Sequence, residues 1–353
     1  MLRKRLSWLQ GLETVRCAGH CYDAPVLQAG ETVHGALVGA DGGAMHVPLG
    51  RSPCVSLVDE PVLLAGVLSG RRDVLGVLPR AEAVREGPLL VVDADRRTPG
   101  AWGERVLLEE DPERVLAGAY RVARELQARR IRVVVRDAWA LARRRVQDAA
   151  VQGAFARAGL PVEVLSGGSD ALVRVPLDGF TPAQLIGGLH EAATGRPLTS
   201  RLIGVAGAVR RPALVEAPMD APLEDLLLLG GGGPRGRRPW RMAVVGGPMG
   251  RVVPVARFGE PLSPELGGSV VALDRTVSPR VLFAHLVELL RAELEQACAT
   301  CSAGWEHLGA TQDQGTLAAL LRAMERRCSC PEHGRLWRPL VDLAAFESDD
   351  FEE

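Results

Sequence analysis

Apolar positions in residues 1–85 come in short runs broken by glycine, such as Pro61-Val-Leu-Leu-Ala-Gly-Val-Leu68. That pattern predicts short strands and turns. From Gly87 the periodicity sharpens. Leu89-Leu-Val-Val-Asp93 is a compact apolar run ending in an acid, as a buried parallel strand does at its carboxyl end. Asp111-Pro112-Glu113 then opens a helix: Asp111 can accept from the first amides, Pro112 suits the first turn, and Glu113 complements the dipole. Apolar residues at 115, 116, 119, 122, 123 and 126 carry it onward. Ile131-Arg-Val-Val-Val135 is the next strand, 138–158 a second helix studded with arginine, and Pro161-Val-Glu-Val-Leu165 a third strand. Strand, helix, strand, helix, strand at this spacing predicts a parallel sheet with right-handed crossovers.

A short helix is predicted around Pro182, Leu185, Ile186 and Leu189, stopped at Gly195-Arg-Pro197. Residues 202–273 change character. Valine-rich strands, Gly-Gly turns and one helix (223–229) predict a separate α+β unit. Helices are expected again at 281–297, 316–327 and 336–346, and the acidic run Glu347-Ser-Asp-Asp-Phe-Glu-Glu353 reads as a frayed end.

A net charge of −1 over 353 residues supplies no general field for nucleic acid or an anionic membrane, so neither is an expected partner. There is no apolar run of about 18 residues, hence no expected membrane span, and the basic start Met1–Leu9 lacks a signal-peptide core. Lys4 is the sole lysine and asparagine is absent, which reflects a GC-rich coding sequence and not a mechanism.

Cysteine placement changes the picture most. Of seven, four lie between 298 and 330. Cys298-Ala-Thr-Cys301 follows one predicted helix, and Cys328-Ser-Cys330 follows the next, with His333 nearby. Two close pairs separated by a helical hairpin can converge on one metal centre, and their clustering suits a reducing cytoplasm better than a disulfide framework. Spacing alone leaves zinc, an iron–sulfur cluster and unliganded thiols all open. Cys17-Ala-Gly-His20-Cys21, with Cys54, has metal-like residue types but reads more simply as buried thiols. His285 and Arg143-Arg-Arg145 read as helix surface. The loop Gly230-Gly-Gly-Gly-Pro-Arg-Gly-Arg-Arg238 lacks the Lys-Ser/Thr ending of a nucleotide loop.

The run Ala297-Cys298-Ala-Thr-Cys301-Ser-Ala-Gly304-Trp-Glu-His-Leu-Gly309 resembles the C-x-x-C-x-x-C-R-E-G element of the flavoprotein (NADH-binding, F) subunits of bacterial NADH:quinone oxidoreductases. Related hydrogenase and formate dehydrogenase diaphorase subunits share that element. Gly246-Gly-Pro-Met-Gly250 and Leu266-Gly-Gly-Ser-Val-Val-Ala-Leu-Asp274 are similar to the family's next two stretches upstream. Val205-Ala-Gly-Ala-Val209, Pro222-Leu-Glu-Asp-Leu226 and Gly230-Gly-Gly resemble its β-grasp (SLBB) module. Asp93-Ala-Asp95-Arg-Arg-Thr98-Pro-Gly100, then Arg105 and Glu110-Asp-Pro112, is similar to its N-A-D-E-x-E-P-G…R…D-P-H segment. The departures are specific. Gly304 stands where a third cluster cysteine belongs, and Arg96 and Thr98 stand where two acids of the flavin and nicotinamide site belong. The family's glycine-rich flavin loop has only an echo in Asp41-Gly42-Gly43-Ala-Met-His46-Val-Pro-Leu-Gly50, and its C-G-E-E-T-A-L stretch is reduced to Gly179-Phe-Thr-Pro-Ala-Gln-Leu185.

The resemblance implies an α/β chain in three parts: a Rossmann-like parallel-sheet domain over 1–200 with a degenerate flavin/NADH site, an SLBB β-grasp domain over 201–276, and a helical bundle over 277–353. It implies a [4Fe–4S] cluster on Cys298, Cys301, Cys328 and Cys330, with Asp95, Gly42 and Gly43 as what remains of an FMN- and NADH-binding site. The implied role is an electron-transfer subunit beside other subunits of a complex I-like or diaphorase-like assembly. It would be cytoplasmic, reaching the inner membrane only through those partners, and if active it would be a component of an NADH:acceptor oxidoreductase. The alternative is a non-catalytic scaffold whose cysteines hold zinc or a vestigial cluster.

Overall fold

The computed structural model describes the backbone of residues 27–29, 32–35 and 47–48, and then residues 51–70, 87–95, 100–151, 159–167, 179–263, 268–291, 298–308, 314–327 and 337–346. Strands β1 (Leu27–Ala29), β2 (Thr32–Gly35) and β3 (Val47–Pro48) form a small antiparallel sheet. β4 (Cys54–Ser56) leads to the short helix α1 (Ala65–Ser69).

The predicted parallel sheet is present. β5 (Leu89–Ala94), β6 (Arg130–Arg136) and β7 (Val162–Gly167) lie in that order, all parallel, with Leu90 opposite Ile131 and Ile131 opposite Val162. Alternate residues explain it. Leu90, Val92 and Ala94 with Ile131, Val133 and Val135 enter one core cluster with the helices. Those helices are α2 (Gly103–Glu110), α3 (Pro112–Glu125), α4 (Ala140–Val151) and α5 (Pro182–Thr194). α2 was not foreseen: it is eight residues long and abuts Pro112, which starts α3. Asp111 sits at the α3 N-cap as expected, but its side chain makes no capping bond. Its carboxylate packs instead against Gly66, where an added Cβ would lie 1.9 Å from Oδ2. α5 has a full capping box, with Thr181 Oγ1 accepting from Gln184 N and Gln184 Oε1 accepting from Thr181 N.

The second sheet runs β11-β10-β12-β8-β9-β4, built from β8 (Ser200–Gly207), β9 (Ala213–Pro218), β10 (Trp240–Val245), β11 (Arg251–Pro254) and β12 (Ser269–Asp274). β8 and β12 pair in parallel at its centre. The outer strand β4 comes from the N-terminal region and pairs in parallel with β9. Between β9 and β10, α6 (Leu223–Asp225) continues as a π-helical turn through Gly230. Period-two alternation divides this sheet between two cores. Ala243 and Val245 join Ile203, Val205, Leu223, Leu226 and Leu227, whereas Met242, Val244 and Val252 face the C-terminal helices. Those are α7 (Pro279–Arg291), α8 (Ala299–Leu308), α9 (Gln314–Arg327) and α10 (Arg338–Ala344). The helical end therefore shares its core with the β-grasp sheet. Arg251 clamps Asp342 through two 2.7 Å bonds, and Val252 N donates to the same carboxylate at 2.9 Å.

Candidate metal centre

Cys298 and Cys301 straddle the first turn of α8, one turn apart on one face. Cys298 O accepts from Ser302 N at 3.0 Å, so the helix begins at this residue. Cys301 is fully buried and Cys298 half-buried, and neither forms a disulfide. Cys301 belongs to one apolar cluster with Leu286, Leu290, Trp305, Leu321, Met324 and Trp337. Trp337 is fully buried; its Nε1–H donates to Cys301 Sγ at 3.4 Å, and its ring lies 5.2 Å from that of Trp305. An N–H aimed at a sulfur stabilises electron density there, which favours a thiolate ligand.

Gly304 lies one turn beyond Cys301, at the position where the resembling family has its third cysteine. Its place is taken. A Cβ there would lie 1.8 Å from Met324 Cε and 2.2 Å from Met324 Sδ. Methionine, long and adaptable, fills the room that a third thiol would occupy. A cage of four thiolates here would draw only Cys298 and Cys301 from the head of α8. Cys328 and Cys330 lie outside the described residues, although α9 ends at Arg327 and Trp337, at the far end of that segment, touches Cys301. Among the described residues no group of three or more His, Cys, Asp or Glu side chains is placed to hold a metal ion.

The nucleotide-site residues fare differently. Gly42, Gly43, Arg96 and Thr98 lie outside the described residues, as do Cys17, His20 and Cys21. Asp95, at the carboxyl end of β5, is only 5% exposed, and it is pressed against Gly167: a Cβ on that glycine would lie 2.7 Å from Asp95 Cγ. That carboxylate is packed inside the protein. Arg105 is also internal, bonded to Glu109 Oε2 at 2.6 Å and Ser52 Oγ at 2.7 Å. Burial pushes the Glu109 carboxyl upward despite that partner. The Gly246-Gly247 pair is a hairpin turn joining β10 to β11. Both residues have φ of +79°, and Gly250 N donates to Gly247 O at 2.9 Å, so the turn explains these glycines without a ligand. His285 is exposed on α7, and Arg144 and Arg145 are exposed on α4, as expected.

Sequence reasoning missed Trp337, Met324 and Glu216. Glu216, fully buried on β9, accepts from Val62 N (2.8 Å), Leu63 N (2.9 Å), Leu64 N (2.8 Å) and Ser200 Oγ (2.7 Å). It is an internal anion at the start of α1. An acid inside the otherwise apolar run Ala213–Pro218 was the available signal.

Comparison with known proteins agrees with this architecture. Residues 202–253 match the SLBB domain model. Among solved structures, a chain of an NAD+-reducing [NiFe]-hydrogenase in the H2-reduced state superposes with a TM-score of 0.69 at 19% identity, covering 98% of this chain and 79% of that one. The air-oxidized state gives 0.68 with the same identity and coverage. No curated protein matches. Among the described residues no helix is long and apolar enough to cross a membrane. The resemblance to F-subunit chains is thereby borne out at the level of fold: residues 202–253 match the SLBB domain, within an architecture similar to that of a chain of an NAD+-reducing hydrogenase.

Proposed function

We propose that this chain is an electron-transfer subunit of a complex I-like or diaphorase-like redox assembly, holding a [4Fe–4S] cluster on Cys298, Cys301, Cys328 and Cys330. The observation that carries this reading is the buried Cys301 thiol at the head of α8, met by the Trp337 indole N–H at 3.4 Å. When bound, such a cluster accepts and releases single electrons. The chain's own contribution is to orient two thiols one turn apart, donate a hydrogen bond to one, and exclude water with Trp305, Leu286 and Leu321. The fold match to a hydrogenase chain supports a setting among other redox subunits. The burial of Asp95 supports a nucleotide site that has degenerated, so no hydride step is assigned to this chain. Met324 in the place of the third cysteine gives the scaffold reading its one specific support, with zinc or a vestigial cluster as a clip between helices.

The test is metal, sulfide and flavin analysis of the anaerobically purified protein and of Cys301→Ser, with Cys54→Ser as control. The expected result is a brown protein with about four iron and four sulfide per chain, lost in Cys301→Ser and kept in Cys54→Ser, with no stoichiometric flavin. Colourless protein carrying one zinc favours the scaffold. Unchanged metal content in Cys301→Ser overturns the assignment altogether.

A further inference from the structure

The glycine- and arginine-rich segment 230–238 has no part in the candidate metal centre, yet it is firmly built. It lies against the turn that joins β8 to β9. Val209 and Pro234 form a β-bridge, while Arg210 N donates to Gly233 O (3.0 Å), Arg211 N to Gly231 O (2.9 Å) and Arg235 N to Ala208 O (3.0 Å). Trp240 Nε1–H fixes the same turn through Ala208 O at 2.7 Å. Gly232 and Gly233 have φ of +72° and +86°, a path that a side chain would strain. The two loops are thereby locked side by side. They present Arg210, Arg211, Arg235, Arg237 and Arg238, all exposed, and residues 207–212 and 230–239 contain no acid. Arg210 Nε donates to a backbone carbonyl, Pro234 O, at 3.2 Å, and Arg238 lies near enough to Asp274 to act on it electrostatically. Among the described residues no carboxylate forms an ion pair with Arg210, Arg211, Arg235 or Arg237.

Beside the arginines the surface turns apolar. Leu226 and Leu227 of the π-helical turn are buried, whereas Leu228 and Leu229 are 42% and 60% exposed. Leu227 O accepts from Gly233 N at 3.0 Å, which seats that turn directly on the arginine loop. We propose that these two loops, with Leu228 and Leu229 at their edge, dock an acidic segment of a partner protein that also carries aliphatic side chains. Guanidinium forks match carboxylates two bonds at a time and shed water readily, which is why arginine is enriched in protein interfaces. Like charges on joined loops repel one another, and a row of carboxylates relieves that repulsion. The exposed leucines offer an apolar contact that a phosphate backbone cannot use. Glu224 and Asp225, exposed one turn before the leucines, would repel a surface of phosphates, whether nucleic acid or anionic lipid. Val209, Leu226 and Leu227 belong to a core cluster separate from that of Cys301, so the docking surface goes beyond the metal reading and does not depend on it.

The test uses fluorescein-labelled peptides of repeated Glu-Glu-Leu, Gln-Gln-Leu and Glu-Glu-Ser in anisotropy titrations against the full-length chain. Its variants are Arg235→Glu with Arg237→Glu, Leu229→Ser, and Arg121→Glu with Arg124→Glu as a control that changes net charge equally on the exposed face of α3. Far-UV circular dichroism verifies that each is folded, and Arg237→Glu alone is the second variant if the double change disturbs the loop. The Glu-Glu-Leu peptide should bind at least about tenfold more tightly than either of the others. That affinity should fall at least about tenfold in the Arg235/Arg237 variant, fall about threefold in Leu229→Ser, weaken with salt, and stay unchanged in the α3 control. Four outcomes overturn the proposal: no binding up to about 1 mM peptide, the weak limit for a real contact; equal loss in the α3 control; equal binding of the Glu-Glu-Leu and Glu-Glu-Ser peptides; or tighter binding to vesicles containing phosphatidylglycerol or to oligothymidylate. The last would assign the arginines to a lipid surface or to nucleic acid.

Discussion

Glu216→Gln isolates what a single buried carboxylate contributes to this fold. The side chain reaches residues 62–64, more than 150 positions away in sequence, and its two oxygens accept four bonds of 2.7–2.9 Å. Oε1 takes Val62 N, Leu63 N and Ser200 Oγ, and Oε2 takes Leu64 N. Glutamine preserves the shape but offers a single oxygen. If that oxygen takes the three donors at Oε1, the new amide nitrogen faces Leu64 N–H, donor to donor. One charge-assisted bond is then lost outright and three are weakened. Leaving a buried donor unmade costs about 1–3 kcal/mol, so the net loss expected is about 2–3 kcal/mol. Glu216→Ala, which abandons all four donors, should cost about 4–6 kcal/mol, a large part of the stability of an ordinary domain. Urea unfolding followed by circular dichroism gives the global figure, with exposed Glu224→Gln as a neutral control. Hydrogen exchange reads the site itself: at about 1.4 kcal/mol per factor of ten, the amides of Val62, Leu63 and Leu64 should exchange roughly 30- to 150-fold faster in Glu216→Gln. A variant within about 0.5 kcal/mol of wild type, or unchanged protection at 62–64, refutes the account.

Three further expectations follow from single contacts. Gly304→Ala places a methyl group where the flexible Met324 thioether lies, so the side chain must swing aside and the cost should stay at about 1 kcal/mol; a loss of several kcal/mol in urea would show that Met324 cannot yield. Asp342→Asn keeps the shape of the α10 joint but leaves Arg251 without its charge partner, and it should loosen the last helix by about 1–2 kcal/mol, read as faster proteolysis of the C-terminal end. Cys54, pushed up to about 11 by burial with Glu110 adding to the effect, should resist iodoacetamide at pH 8 while its thiolate is scarce. Because its folded value lies above the ordinary 9.0, its contribution to stability is complete below pH 9 and is lost as pH rises towards 11. Alkylation of native Cys54 at the rate of an unfolded control would refute this.

The parallel sheet was legible because its strands are nearly continuous apolar runs separated by helices with recognisable starts, a signal confined to windows of a dozen residues. What escaped was non-local or unmarked. β4 is three residues long and exists because β9 lies alongside, far away in sequence. Asp111 has the residue type and position of a cap, yet its carboxylate turns toward Gly66, a preference set by packing between helices. At the cysteines, the pair at the head of α8 was legible from spacing, and the departure from the resembling family was legible at Gly304. That Met324 would occupy the gap was not, because it depends on how α9 lies across α8.

The polar groups that remain buried also bear on how far this architecture depends on any bound group. Unpaired buried charge is costly, so a site that held a flavin phosphate or ribose would become a liability once the ligand was lost. Three polar networks in the described residues are closed within the chain: Glu216 with three amides and a hydroxyl, Arg105 with Glu109 and Ser52, and the Asp342 carboxylate with the half-exposed Arg251. None of these three networks uses a ligand, and none includes a cysteine. The α/β core should therefore keep its cooperative unfolding when metal is stripped from the anaerobic protein, with any loosening confined to α8, α9 and α10 around Cys301. Hydrogen exchange before and after chelation separates the two regions. Loss of protection in β5 and β6 together with α8 would mean that the core depends on the metal, and that the internal partners do not suffice.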